Sequence, residues 1–203
     1  METLTPARCP ASRRGAGFLP PRGIVSRTAV AVLVFLAVTN ARGDDASSLE
    51  RQVKAAFLYK FGDYVEWPAG TFATADAPLV IGVMADDELA HDVVLVTAGR
   101  RIQGHPVEVR EVREGDDFST LDALFIAGAG RARVQSIINA LPHQPVLIVT
   151  ECPGGLDAGG MINFRIVDGH VRFEVALDHA DGRGIRLSSR LLTVALRVEG
   201  VGS

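Results

Sequence analysis

Apolar residues recur three and four positions apart in four segments, and this period predicts amphipathic helices. The segments are residues 49–64, 86–99, 134–141 and 185–198. Ser47 and Glu50 form a capping box at the start of the first segment. Pro68 follows its end and prevents the helix from continuing. In the last segment one helix face would carry Leu187, Leu191, Val194, Ala195 and Val198.

Short runs that are almost entirely apolar predict strands covered on both faces, at residues 79–84, 121–127 and 146–149. Residues 106–112 instead alternate between apolar and polar, which predicts a strand with one wet face. A hairpin is predicted over residues 161–175, because Asp168-Gly169 is a strong turn signal. Strand–helix alternation followed by a hairpin predicts a three-layer α/β sandwich. Its central sheet would be mostly parallel or mixed, with a C-terminal hairpin at its edge and flanking helices.

The chain begins with basic residues, followed by an uninterrupted apolar run over residues 28–38. The run is shorter than the roughly 20 residues that span a bilayer comfortably. Small residues follow it, so the pattern predicts a signal peptide over 1–41, cleaved after Ala41, and a single exported domain over 42–203. An uncleaved membrane anchor is the alternative. Ser12-Arg13-Arg14 resembles a twin-arginine signal, but the spacing favours the general export route.

Charge argues against nucleic acid as a partner. The chain has 24 acidic and 21 basic residues, and residues 1–41 hold one of the acids and five of the bases. Residues 42–203 therefore hold 23 acids and 16 bases, a net charge near −7. Nucleic-acid binding requires a basic stripe that displaces counterions, and no such stripe is visible.

The strongest local motif for a small ligand is Gly128-Ala129-Gly130, between a predicted strand and a predicted helix. Amides at a helix start can hold an anion, and Arg131 and Arg133 would add positive charge. The third glycine and the downstream acid of a dinucleotide fingerprint are missing, so a plain tight turn is the favoured interpretation. Gly128, Gly130, Arg131 and Arg133 are kept as a weak ligand-binding prediction, with no cofactor assigned.

No residue set has the arrangement of a catalytic or metal site. The five histidines are scattered, and none stands at ligand spacing from another histidine or a cysteine. Ser188 and Ser189 are expected to cap a helix rather than to act as nucleophiles. Cys152 is the only cysteine of the predicted mature domain, so an internal disulfide is excluded and a buried thiol is expected. The sequence therefore predicts that the protein is not an enzyme.

Arg172 and Glu174 stand two apart in a predicted strand, so they share a face. On a wet face they would form a surface ion pair worth about 0–1 kcal/mol. On a contact surface the same charges would determine partner choice.

Four motifs together resemble the YfiR-like family of periplasmic proteins, and the resemblance covers residues 48 to 198. They are Lys54-Ala55-Ala56-Phe57 leading to Glu66-Trp67-Pro68, Gly159-Gly160-Met161-Ile162-Asn163-Phe164, Arg172-Phe173-Glu174-Val175, and Ser188-Ser189-Arg190-Leu191-Leu192. The resemblance implies a periplasmic regulator, commonly dimeric. Such a regulator binds the periplasmic sensor region of an inner-membrane diguanylate cyclase and holds cyclic-di-GMP synthesis down. It also implies that an OmpA-like outer-membrane lipoprotein can sequester the regulator.

The resemblance further implies that the partner-binding surface lies around the late hairpin and the residues after it. In this chain it points to Met161, Phe164, Arg172, Glu174 and Ala180. Two other functions stay open: a periplasmic small-ligand binding protein that reports to a sensor kinase or transporter, and a hydrolase, which lacks an assembled nucleophile and base. The first would need a pocket at the strand ends near residues 128–133.

Overall fold

The computed structural model describes the backbone of residues 27–200 and the side chains from Asp45 onward. The predicted signal peptide, residues 1–41, lies outside the residues whose side chains are described, and it stays a prediction. Within the described residues, no helix is long and apolar enough to cross a membrane. The compact unit that contains the sheet begins at Arg42.

The helices of the described chain alternate with its strands for most of its length. The helices are α1 (Arg27–Asp63), α2 (Asp87–Thr97), α3 (Arg131–Ala140), α4 (Leu177–Asp181) and α5 (Ser189–Val194). The strands are β1 (Val65–Glu66), β2 (Leu79–Met84), β3 (Arg101–Ile102), β4 (His105–Val112), β5 (Ala123–Ile126), β6 (Leu147–Thr150), β7 (Ile162–Val167), β8 (His170–Ala176), β9 (Arg186–Leu187) and β10 (Arg197–Glu199).

The main sheet has eight strands in the order β10-β8-β7-β6-β5-β2-β4-β3, and β1 pairs with β9 in a separate small ribbon. Five neighbouring strands, β4, β2, β5, β6 and β7, run parallel. The chain passes from β2 to β4 on one side and then returns to β5 on the other. The order therefore reverses between β2 and β5, the position at which open α/β sheets usually bind ligands.

Helices cover both faces of the sheet. Helix α1 lies beside α2, because the Arg51 guanidinium forms ion pairs with Glu88 at 2.8 Å and Asp92 at 3.2 Å. The crossover from β2 through α2 to β4 and the crossover from β5 through α3 to β6 run in opposite directions along the sheet. Because such crossovers are right-handed, α3 lies on the face opposite α2. The buried core includes the apolar residues of β2, β5 and β6, which are covered on both sides. The three-layer α/β prediction is confirmed.

Local signals predicted several elements correctly. Asp86 caps α2 by accepting the Leu89 N–H at 2.8 Å. Ser188 caps α5, as expected from its position before an apolar helix turn. The predicted capping box at Ser47 is wrong, since Ser47 lies inside α1. A serine caps a helix only where the residues before it are not helical. Here no proline interrupts residues 28–46, and α1 continues through them.

The predicted C-terminal helix over residues 185–198 is wrong. It is divided into β9, the six-residue α5 and β10, because the backbone at each end pairs with a distant strand: β9 with β1 and β10 with β8. Val194, placed by helical spacing on the buried face, is exposed. The hairpin is also not the sheet edge, since β10 covers the outer side of β8. Long-range pairing overrides a helical apolar period here.

Candidate functional site

The hairpin of β7 and β8 is built as its turn residues predict. Asp168 and Gly169 have φ values of 51° and 72°, and positive values at both central positions define the two-residue turn that matches strand twist. The register pairs Phe164 with Phe173 and Asn163 with Glu174. Residues paired across strands share a face, so one hairpin face carries the phenylalanines and the other carries the charged residues.

The charged face is organised around Glu174, whose side chain is 9% exposed. Arg165 of β7 lies 3.8 Å from its carboxylate, and Arg197 of β10 lies 3.4 Å away. Arg197 also pairs with Glu199 at 2.6 Å. Glu174 therefore links the hairpin to the edge strand through Arg165 and Arg197. Arg172, although it shares the face with Glu174 as predicted, lies opposite Arg165 in the register.

The opposite face of the hairpin is apolar and only partly covered. Ile166 is paired with Val171 near the turn, and the residue is 45% exposed. The Leu196 N–H donates to the Phe173 carbonyl at 2.8 Å, which places Leu196 beside this face, and the residue is 50% exposed. Val194 at the end of α5 is also exposed. Ile166, Val171 and Leu196 are termed the apolar hairpin surface.

The structure distributes the predicted partner-binding residues over different environments. Arg172 is exposed, and Glu174 is nearly covered by its ion pairs. Met161, Phe164 and Ala180 are buried in the hydrophobic core on which the hairpin packs. Sequence reasoning missed Ile166, Leu196, Arg165 and Arg197. Alternation along β7 could have indicated Ile166, whereas the erroneous C-terminal helix concealed Leu196 and Arg197.

Beneath the charged face, a buried polar pair anchors β7 to β6. The Thr150 hydroxyl donates to Asn163 Oδ1 at 2.9 Å, and the Cys152 N–H donates to the same oxygen at 3.2 Å. The loop of residues 151–160 packs directly over this pair. Cys152 is buried as expected, and desolvation raises the pKa of its thiol. A higher pKa keeps the thiol protonated and poorly nucleophilic.

The weak ligand-binding prediction falls at the reversal of strand order. Gly130 is the N-cap of α3, and a cavity of about 330 Å³ lies between the carboxyl ends of β2, β4 and β5 and the first turns of α3. Gly128 and Arg133 line it. Arg133 pairs with Glu114 at 2.8 Å, and this hydrogen bond lowers the pKa of the glutamate. Arg131 lies 3.7 Å from Asp157 and does not line the cavity.

A family comparison identifies the class of protein. The model of the YfiR/HmsC-like family matches residues 51–196. The chain belongs to the YfiR/HmsC-like family. This family is regulatory rather than catalytic, and it is periplasmic. The matched span runs from α1 to the residue before β10, so it includes both the hairpin and the cavity at the strand ends.

In this YfiR/HmsC-like chain, the described residues hold no group of three or more histidine, cysteine, aspartate or glutamate side chains arranged to bind a metal. The ring nitrogen of His179 lies 3.0 Å from the Gly160 carbonyl, and that of His105 lies 2.8 Å from the Ala77 carbonyl. His105 also stacks on Phe72 at 4.0 Å between ring centroids. These contacts fix neighbouring loops.

The family motif in the C-terminal third of α1 contains a buried cation, Lys54. The Lys54 ammonium lies 2.5 Å from carboxylates of Glu50 and Glu151, which ties α1 to the end of β6. Burial lowers the pKa of Lys54. The hydrogen bonds to Glu151 and Glu50 and the charges of these carboxylates together raise it by more, so the net pKa lies above its ordinary value.

We expect Lys54→Met to lower the free energy of unfolding at pH 7 by about 1–3 kcal/mol. This is less than the cost of breaking a fully buried pair, because both glutamates remain partly hydrated. A raised pKa means that the contribution of Lys54 is complete below the ordinary lysine value near 10.5 and is lost as pH rises through the higher native value. Urea titrations of both proteins from pH 7 upward measure the difference. A difference that stays constant through that range would contradict the assignment.

Proposed function

We propose that this protein binds the periplasmic sensor region of an inner-membrane diguanylate cyclase and inhibits the cyclase, which lowers cyclic-di-GMP synthesis. Family membership supports a periplasmic regulator. The observation that carries the finer proposal is the apolar hairpin surface. An exposed apolar patch beside charged residues is a common feature of protein-binding sites.

Exposed and buried residues have different roles in the proposed surface. Ile166 and Leu196 would supply the apolar contact, since about half of the surface of each residue is exposed and can be buried. Arg165, Arg172 and Arg197 lie on the opposite, charged face of the hairpin. A partner that encloses the hairpin would meet them there, where charges mainly determine partner choice and association rate. Met161, Phe164 and Ala180 would act by holding the hairpin in place, because their own side chains are already buried.

The direct test is intracellular cyclic-di-GMP in a host that lacks this gene. We expect deletion to raise the level, wild type to restore it, and the double variant Ile166→Asp/Leu196→Asp to fail to restore it. Burying two carboxylates in an apolar contact opposes binding, and interface truncations at a contact centre commonly cost more than about 1 kcal/mol each. Both positions are exposed, so the variant should accumulate to the wild-type level.

The matched control is Leu49→Asp, which places the same charge at an exposed leucine on α1, away from the hairpin. It should complement fully. Glu174→Lys is a less specific probe, because a cation between Arg165 and Arg197 also disturbs the packing of β10. An unchanged cyclic-di-GMP level on deletion would refute the cyclase proposal, and full complementation by the double variant would refute the assigned surface.

A sequestering partner belongs to the same proposal. An OmpA-like outer-membrane lipoprotein that captures this protein would release the cyclase. If it uses the same apolar hairpin surface, then it competes with the sensor region, and the Ile166→Asp/Leu196→Asp variant should lose both partners in pull-down assays.

The cavity at the strand ends favours a second candidate, a small-ligand binding protein that reports to a sensor kinase or transporter. It lies where the strand order reverses, and Arg133 lines it. A rise in melting temperature with a carboxylate or phosphate compound, lost in Arg133→Ala, would support it. No rise across such a panel would remove it.

A further inference from the structure

The edge of the main sheet opposite the hairpin is open over most of its length. Strand β3 pairs with β4 at only two positions, Arg101 with Pro106 and Ile102 with His105. Beyond them, residues 107–112 of β4 have β2 on one side and, within the described residues, no strand on the other. An open strand of this length presents main-chain donors and acceptors that another strand can pair with.

The short hairpin at β3 determines which groups face outward. Gln103 and Gly104 form a two-residue turn with φ values of 51° and 90°, so Ile102 and His105 exchange main-chain hydrogen bonds across it. His105 therefore directs its main-chain groups away from β2. Because direction alternates along a strand, Val107, Val109 and Glu111 direct theirs to the open edge as well.

The two faces of the sheet beside this edge carry different kinds of side chain. Glu108 and Arg110 share one face, form an ion pair at 2.7 Å and are both exposed. On the other face, Val107 and Val109 adjoin a groove of about 340 Å³ that Val94 of α2 also lines. Val94 and its neighbour Leu95 are exposed. The edge is thus alternately charged on one face and apolar on the other.

We infer that this edge pairs with the same edge of a second copy of the chain, antiparallel, around a two-fold axis at Val109. In that register Val109 lies opposite Val109 of the partner subunit, and the outward main-chain groups of both strands meet. Glu108 then lies opposite Arg110 of the partner subunit, and Arg110 lies opposite Glu108 of the partner subunit. Both cross-strand pairs have opposite charges.

The same register also brings opposite charges together at the two ends of the contact. Val107 lies opposite Glu111 of the partner subunit, next to Arg100 and Arg101, which line the end of the groove. Charges on an edge strand normally discourage pairing with an arbitrary strand. Here the spacing of opposite charges around Val109 makes the edge complementary to itself, which an isologous dimer contact requires. The inference is independent of the cyclase proposal, since it concerns the opposite edge of the sheet.

The test is the dimer dissociation constant of the purified protein, measured by sedimentation velocity over a concentration series. We expect wild type to dimerise and Glu108→Arg to weaken the dimer by roughly tenfold or more, because two attractive pairs become repulsive. The charge swap Glu108→Arg/Arg110→Glu should restore it. An equimolar mixture of Glu108→Arg and Arg110→Glu should form a heterodimer more tightly than either variant dimerises alone.

A second variant tests the backbone rather than the charges. Val109→Pro removes an outward N–H that β2 does not use, and proline is tolerated at such edge positions. It should be monomeric while keeping the wild-type circular dichroism spectrum. A wild-type protein that stays monomeric at its highest soluble concentration would overturn the inference. A dimer whose strength does not change in Glu108→Arg would overturn it as well.

Discussion

Phe61→Ala is expected to lower the free energy of unfolding by about 3–5 kcal/mol, the usual cost of removing a buried phenylalanine. The Phe61 ring is buried and lies 5.1 Å from Phe173, 5.6 Å from Phe164 and 5.8 Å from Phe57, centroid to centroid. These contacts attach α1 to the hairpin. Equilibrium urea unfolding, followed by circular dichroism, gives the difference.

Phe61→Leu provides the control for this prediction. Leucine keeps most of the buried volume but loses the ring contacts, which are worth about 0.5–1.5 kcal/mol per pair beyond area burial. The free energy of unfolding of Phe61→Leu should therefore lie between those of wild type and Phe61→Ala. A loss below about 1 kcal/mol for Phe61→Ala would mean that the site collapses around the cavity, and that the aromatic cluster does not hold the hairpin to α1.

Gly155→Ala should cost about 2–4 kcal/mol, through overpacking and the loss of a buried hydrogen bond. A Cβ on Gly155 would lie 2.3 Å from Asn163 Oδ1 and 2.4 Å from Thr150 Oγ1. The loop must then move away, or the buried Thr150–Asn163 pair must separate. Thermal and urea unfolding measure the cost.

Gly130→Ala is the matched control, because a Cβ at that N-cap position meets nothing within 4 Å. Glycine and alanine differ there by the capping preference alone, so the change should stay near 1 kcal/mol or below. Equal costs for the two substitutions would contradict the steric explanation.

The two predictions concern opposite faces of the same hairpin. Phe61 supports the face that carries Phe164 and Phe173, and Gly155 lets the loop of residues 151–160 close over Asn163 on the other. A variant at either position should weaken partner binding indirectly, through a less stable hairpin. Partner binding is therefore best tested at exposed positions such as Ile166 and Leu196, where a substitution leaves the core intact.

Several parts of the fold could be predicted from local chemistry. The acids at 86–88 begin α2, and the Asp168-Gly169 turn closes the hairpin in the expected register. Each of these signals acts through contacts within a few residues, so it keeps its meaning in any tertiary context. The candidate site was predicted less completely, because Met161, Phe164 and Ala180 are buried while the exposed Ile166 and Leu196 were missed.

The sequence by itself determined the order of the longer helices and strands up to the hairpin, though not the two-residue strands β1 and β3. It also determined the hairpin turn, the absence of an internal disulfide in residues 42–203 and, through its motifs, the family. Tertiary structure alone decided the C-terminal segment, the partners of Glu174 and the open edge of β4. Arg197 meets Glu174 only because β10 pairs with β8, and β10 forms only because that pairing satisfies its main chain. Such contacts depend on strands distant in sequence, which no local period encodes.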